Sequence, residues 1–153
     1  MLVERALRNA IAILMLLMVS VVCAQIALRY LTYQPVAWTE ELARLLFIWL
    51  CLVGAAEGAR RSAHFVVDFV PRKLGGPAGR LLRGSLKLIE ASLYIIIAFA
   101  GAQILATVHN QQSVTLEIPM SIVYGAIPFG FGLMAVFAMW GAKNEFQGKR
   151  NLS

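Results

Sequence analysis

The side chains able to do chemistry in this 153-residue chain gather at the two ends of one apolar stretch. Glu40, Glu41 and Arg44 open it, and Glu57, Arg60, His64 and Asp68 close it. Carboxylates and imidazoles in so apolar a setting mark proton relays, ion pathways or metal sites, because an unpaired charge is costly away from water. The spacing argues for pairing instead. Glu40 and Arg44 are four residues apart with the acid first, the favourable order for an ion pair on one helix face. Glu57 stands beside Arg60 and Arg61, and Glu90 follows Lys87 by three. Arg29 and Arg44 fall near the ends of apolar runs, where long side chains reach the headgroup layer. The middle of each run holds no acid or base, although an ion-coupled carrier normally needs one there, or a broken helix. Cys23 and Cys51 lack Cys-x-x-Cys spacing and ligand companions, so they read as small packing residues. With no His-Glu-x-x-His helix and no glycine-rich phosphate loop, no catalytic residue, metal or cofactor is expected, and the chain is not read as an enzyme.

The elements that must position these groups are four apolar runs, at 10–28, 45–59, 88–108 and about 122–142. The chain is 59% hydrophobic and 14% charged, with a mean hydropathy of +0.72. A soluble domain carries about 25% charged residues. Of the 14 Lys and Arg, all but Arg29 and Arg44 precede the first run, separate the second from the third, or follow the fourth. Positive charge stays on the cytoplasmic side during insertion. The basic balance is therefore a topology signal and not a nucleic-acid footprint. The apolar run that follows Arg5 and Arg8 continues past Ala24 to Leu28, with Tyr30 and Tyr33 beyond it, so it is read as a retained span rather than a cleaved signal. These features predict an all-α membrane protein, a single domain over 1–153. It has four transmembrane helices at about 10–31, 41–61, 86–108 and 119–142, with both termini cytoplasmic. The middle loop should be cytoplasmic too, with an amphipathic interfacial segment over about 65–84. Its Arg80, Arg83 and Lys87 recur at helical spacing as a basic face toward membrane lipid, and lead without a break into span three. His64 and His109 then fall on opposite sides of the membrane and cannot share a haem.

Within helix two, Thr39 is the expected N-cap, with Glu40 and Glu41 in the first turn at the positive dipole end. At about 100° per residue, Glu40, Arg44, Phe47, Ile48, Cys51, Gly54, Ala55, Gly58 and Ser62 share one face. Its small residues would let another backbone approach closely. That backbone belongs either to a partner or to another helix of the same chain. Helix four carries a comparable strip, Ser121, Gly125, Gly132 and Ala135, and Gly101 is a close-approach point on helix three. Pro119 should sit in the first turn of helix four, and Pro128 should bend it.

The stretch Trp38-Thr39-Glu40-Glu41-Leu42-Ala43-Arg44, followed by Phe47-Ile48-Trp49, Gly54-Ala55-Ala56, Arg60-Arg61 and His64-Phe65-Val66-Val67-Asp68, resembles the small membrane subunit of tripartite ATP-independent periplasmic (TRAP) transporters, the DctQ-like family. The resemblance implies an accessory subunit in the bacterial inner membrane. Its partners would be a large multi-span subunit, which carries the substrate and sodium sites, and a periplasmic solute-binding protein that delivers an organic acid. By position it implies that Glu40, Glu41 and Arg44 fix helix two against the large subunit near the periplasmic face, or else stabilise the subunit's own fold, with Trp49, Gly54 and Gly58 along the same helix. It implies that His64 and Asp68 order the middle loop. Competing readings are a free-standing four-helix carrier acting as a homo-oligomer, and a membrane anchor for a redox complex.

Overall fold

The computed structural model describes residues 2–33, 36–62 and 77–146. Four helical spans cross it, and the last is broken: α1 (Leu2–Thr32), α2 (Ala37–Ser62), α3 (Pro77–Val108), then α4 (Met120–Tyr124) with α5 (Ala126–Phe146). All four are long and apolar enough to cross a membrane. The all-α, four-span reading therefore holds. Helix α1 begins well before the expected position 10, so Arg5 and Arg8 lie on the helix itself.

The spans do not close into a bundle. Helix α1 packs on α2, α2 on α5, and α5 on α3, while no Cα of α1 comes within 8 Å of α3. Each flanking helix accordingly shows one shielded seam. In α1 it runs through Glu4, Leu7, Ile11, Leu14, Met18, Val21, Gln25 and Leu28. In α3 it runs through Gly84, Lys87, Ala91, Tyr94, Ala98, Gly101, Leu105 and Val108. Steps alternating between three and four residues keep a seam in register with a neighbour crossing at a shallow left-handed angle of about 20°. Over the middle of both helices the remaining surface is mostly apolar and exposed, as lipid contact requires.

Glycines set how closely the middle of the row packs. A Cβ on Gly130 of α5 would lie 2.8 Å from the Cβ of Leu52 in α2, and one on Gly101 of α3 would lie 2.8 Å from Ile127 Cγ2. Gly101 is thus the close-approach point its sequence suggests. The strip proposed for helix four does not act as one face. Ala135 is buried, a Cβ on Gly132 meets nothing within 4 Å, and one on Gly125 would crowd the Ser121 carbonyl of its own turn.

Three local expectations are revised. Thr39 is not the N-cap, because α2 begins at Ala37 and the Thr39 hydroxyl donates back to the Val36 carbonyl at 2.7 Å. Pro119 stands one residue outside helix four, as the residue that caps α4. The bend assigned to Pro128 appears as a break at Gly125. Pro128 has no N–H to give the Tyr124 carbonyl, and the chain restarts its ladder with Phe129 N–H donating to Gly125 at 3.3 Å.

Of the expected interfacial segment, 65–76 lies outside the described residues, and 77–84 is the start of α3, continuous with the third span. The basic face is smaller than its spacing implies. Lys87 is only 4% exposed and lies against Gly141 of α5, where a Cβ would meet its Cδ at 3.1 Å. The close α3–α5 seam takes up the aliphatic stem and withdraws the ammonium from the headgroups.

Candidate functional site

The Glu-Glu-x-x-Arg entry to α2 divides its work between two directions. Successive helical residues point about 100° apart, so Glu40 and Glu41 cannot serve one face. Glu40 turns outward and accepts from Arg44 at 3.5 Å, with their side chains 66% and 70% exposed. A pair so exposed holds little energy, about 0–1 kcal/mol. Glu41 turns toward the loop between α3 and α4. It accepts from the Ser113 hydroxyl, from the Thr115 N–H at 3.1 Å and from the Leu116 N–H at 3.0 Å. The motif read as a trio is therefore one external pair and one internal tie.

Trp49, one face further round, also bonds within the chain. Its indole N–H donates to the Ile122 carbonyl of α4 at 3.2 Å, and its ring lies 5.6 Å from that of Phe129 in α5. It bridges α2 to both pieces of the broken span.

The remaining face of α2 meets nothing among the described residues. Arg44, Phe47, Cys51 and Ala55 are exposed, and a Cβ built on Gly54 or Gly58 finds no atom within 4 Å. Glu40, Arg44, Phe47, Cys51, Gly54 and Gly58 step by four and three along the helix, the same repeat that the internal seams use. Each intramolecular neighbour of α2 is already on its other faces. Among the described residues the small residues of this strip therefore pack against no other helix of the chain.

At the opposite end of α2, Glu57 is 5% exposed and saturated with donors. Arg60 reaches it through two nitrogens at 2.7 and 2.9 Å, and Arg61 through one at 2.8 Å. Arg60 also meets Glu4 of α1 at 3.3 Å, tying the first two spans together. On α3, Lys87 lies 3.6 Å from Glu90, which accepts from the Tyr94 hydroxyl at 3.0 Å. These charges are paired, as their spacing suggests. The burial of Glu57 and Lys87 is not visible in spacing and follows from which helices are neighbours. His64 and Asp68, the expected inner pair, lie outside the described residues. Among the described residues no cluster of His, Cys, Asp and Glu is placed to hold a metal ion.

Comparison with known proteins gives the arrangement a context. Residues 18–147 match the profile of the family described as tripartite ATP-independent periplasmic transporters, DctQ component. The chain is 34% identical over 129 residues to the sialic acid TRAP transporter small permease protein SiaQ of Vibrio cholerae serotype O1, covering 81% of this chain and 71% of that one. It is 37% identical over 100 residues to the C4-dicarboxylate TRAP transporter small permease protein DctQ of Rhodobacter capsulatus, covering 63% of this chain and 44% of the relative. It is 30% identical over 104 residues to the isethionate TRAP transporter permease protein DctMQ of Oleidesulfovibrio alaskensis, where the match covers 65% of this chain and 16% of the longer protein. These relatives are transporter components, not enzymes.

Proposed function

The chain belongs to the DctQ component family of TRAP transporters, and from that premise we propose that it is the scaffold subunit that braces a large multi-span permease through the open face of α2. The observation that carries this reading is that Arg44, Phe47, Cys51, Gly54 and Gly58 form one continuous seam, repeating like the internal seams and without a neighbour among the described residues. Small residues on such a seam allow a second helix to approach closely, which is how helices associate in lipid without a hydrophobic driving force. The open row favours the same role. A row of spans encloses no passage among the described residues, so the transport path belongs to the partner. The long DctMQ relative, of which this chain matches 16%, gives the partner a precedent.

In this reading the loop over 109–119 and the entry to α2 face the periplasm, where a soluble binding protein delivers an organic acid for sodium-coupled uptake. The middle loop, with His64 and Asp68, lies at the cytoplasmic surface, as do both termini. The test is reconstitution in liposomes. Uptake is expected only when this chain, the large permease and the binding protein are combined. Uptake by this chain alone would overturn the proposal in favour of a free-standing carrier.

A further inference from the structure

The loop between α3 and α4 carries no Lys or Arg, yet it has a defined shape. Ser113 N–H donates to the Ile118 carbonyl at 2.9 Å, Met120 N–H donates to Gln111 at 2.9 Å, and Gln112 pairs with Pro119 as a two-residue bridge. The turn between these bonds passes through Glu117 at φ 53°, a left-handed conformation that a non-glycine residue holds only when its surroundings impose it. A further constraint comes from outside the loop, from the Glu41 carboxylate of α2. Its three donors lie within four residues of one another, at Ser113, Thr115 and Leu116. A carboxylate has several lone-pair directions, so one oxygen takes the Ser113 hydroxyl while the other takes both backbone N–H groups. The result is an abrupt change in exposure along the chain: Ser113 is 3% exposed and Val114, next to it, 93%.

An apolar side chain held fully outward at the crest of an ordered loop is a presentation. We propose that Glu41 is a positioning residue, a strap that presets the 109–119 loop so that Val114 and its polar flanks meet the soluble binding protein in one conformation. The proposal deepens the reading given above and rests on it for the identity of that partner. Glu40 cannot substitute, since it points away and is engaged with Arg44. A preset loop binds without first losing the freedom of an unordered one, so the strap acts on affinity and not on the transport step itself.

Hydrogen exchange on the purified full chain reads the strap directly. Glu41→Ala removes every acceptor that faces the three loop donors. It is expected to speed exchange across Thr115 and Leu116 by about tenfold, as a local opening does, while Glu40→Ala leaves it unchanged. In liposomes the Glu41→Ala chain, combined with the large permease, should need several times more binding protein for half-maximal uptake, with recovery of the large permease unaltered. Unchanged exchange overturns the strap. Faster exchange with an unaltered requirement for binding protein overturns the presentation. Failure of the parent reading shows elsewhere, as a wild-type chain that neither co-purifies with a large permease nor supports uptake. That outcome removes the presentation and leaves the strap to its exchange result.

Discussion

The indole N–H of Trp49 in α2 donates to the carbonyl of Ile122 in α4 at 3.2 Å, just before the fourth span breaks at Gly125. A hydrogen bond between helices in an apolar medium joins elements that packing alone would let slide. Trp49→Phe keeps an aromatic ring beside Phe129 and removes the donor. It should lower stability by about 0.6 kcal/mol, the average measured for interhelical hydrogen bonds in membranes. Thermal unfolding in detergent should show a small downward shift for Trp49→Phe and a larger one for Trp49→Ala, which loses the ring contact as well. An unmoved midpoint for Trp49→Phe would mean that the hydrogen bond contributes nothing.

Two glycines on α5 should respond in opposite ways to an added side chain. A Cβ on Gly130 would fall 2.8 Å from Leu52 Cβ, whereas one on Gly132 meets nothing within 4 Å. Gly130→Val forces α2 and α5 apart and should destabilise by about 1–3 kcal/mol, the usual range for overpacking. Gly132→Ala relieves a helix-interior glycine and should be neutral or slightly stabilising, by up to about 1 kcal/mol. The ranking of unfolding midpoints checks both.

The open seam on α2 predicts a separation of stability from assembly. Gly54→Leu and Gly58→Leu place bulk where the described residues put no atom, so unfolding of the isolated protein should hardly change. Recovery with the large permease should fall severely, and uptake with it. In a Cys23→Ser background, which leaves Cys51 as the one exposed thiol, a cysteine-reactive probe should label the isolated chain and lose most of its labelling in the complex. Full recovery of the permease with Gly58→Leu would remove α2 as the contact.

Exposed and shielded arginines on α2 should differ. Arg44 pairs with Glu40 in the open, and Arg44→Ala should shift the unfolding midpoint little. Arg60→Ala strips a partner from the buried Glu57 and cuts the bond to Glu4 of α1. Leaving a buried acceptor short of donors costs about 1–3 kcal/mol. The Arg60→Ala protein should therefore unfold earlier, and α1 should become more susceptible to protease.

What the sequence revealed followed the strength of the local signal. The four spans and the pairings Glu40–Arg44, Glu57–Arg60 and Lys87–Glu90 are properties of one helix at a time, so hydropathy and spacing reach them. The neighbours of each helix are not. Nothing in the order of the apolar runs says that α1 touches α2 alone, and so the burial of Lys87 against Gly141 could not be read. Glu41 shows the same limit from another side. Its sequence neighbours group it with Glu40 and Arg44, while its bonds go to a loop more than seventy residues away. The fit of Gly130 to Leu52 was missed because a single glycine in an apolar run looks the same whether it faces a backbone or lipid.

The placement of α3 bears on how the chain is made. Its one partner among the long helices described is α5, which the ribosome delivers after it. When α3 leaves the translocon, α1 and α2 can already be joined through Glu4 and Arg60, but α3 has nothing to lean on, and the Lys87 ammonium must wait at the lipid surface for Gly141 to arrive and cover its stem. Biogenesis therefore proceeds as two separate pairings completed by one late helix, and a chain truncated before residue 126 would leave α3 orphaned in the bilayer for quality-control proteases.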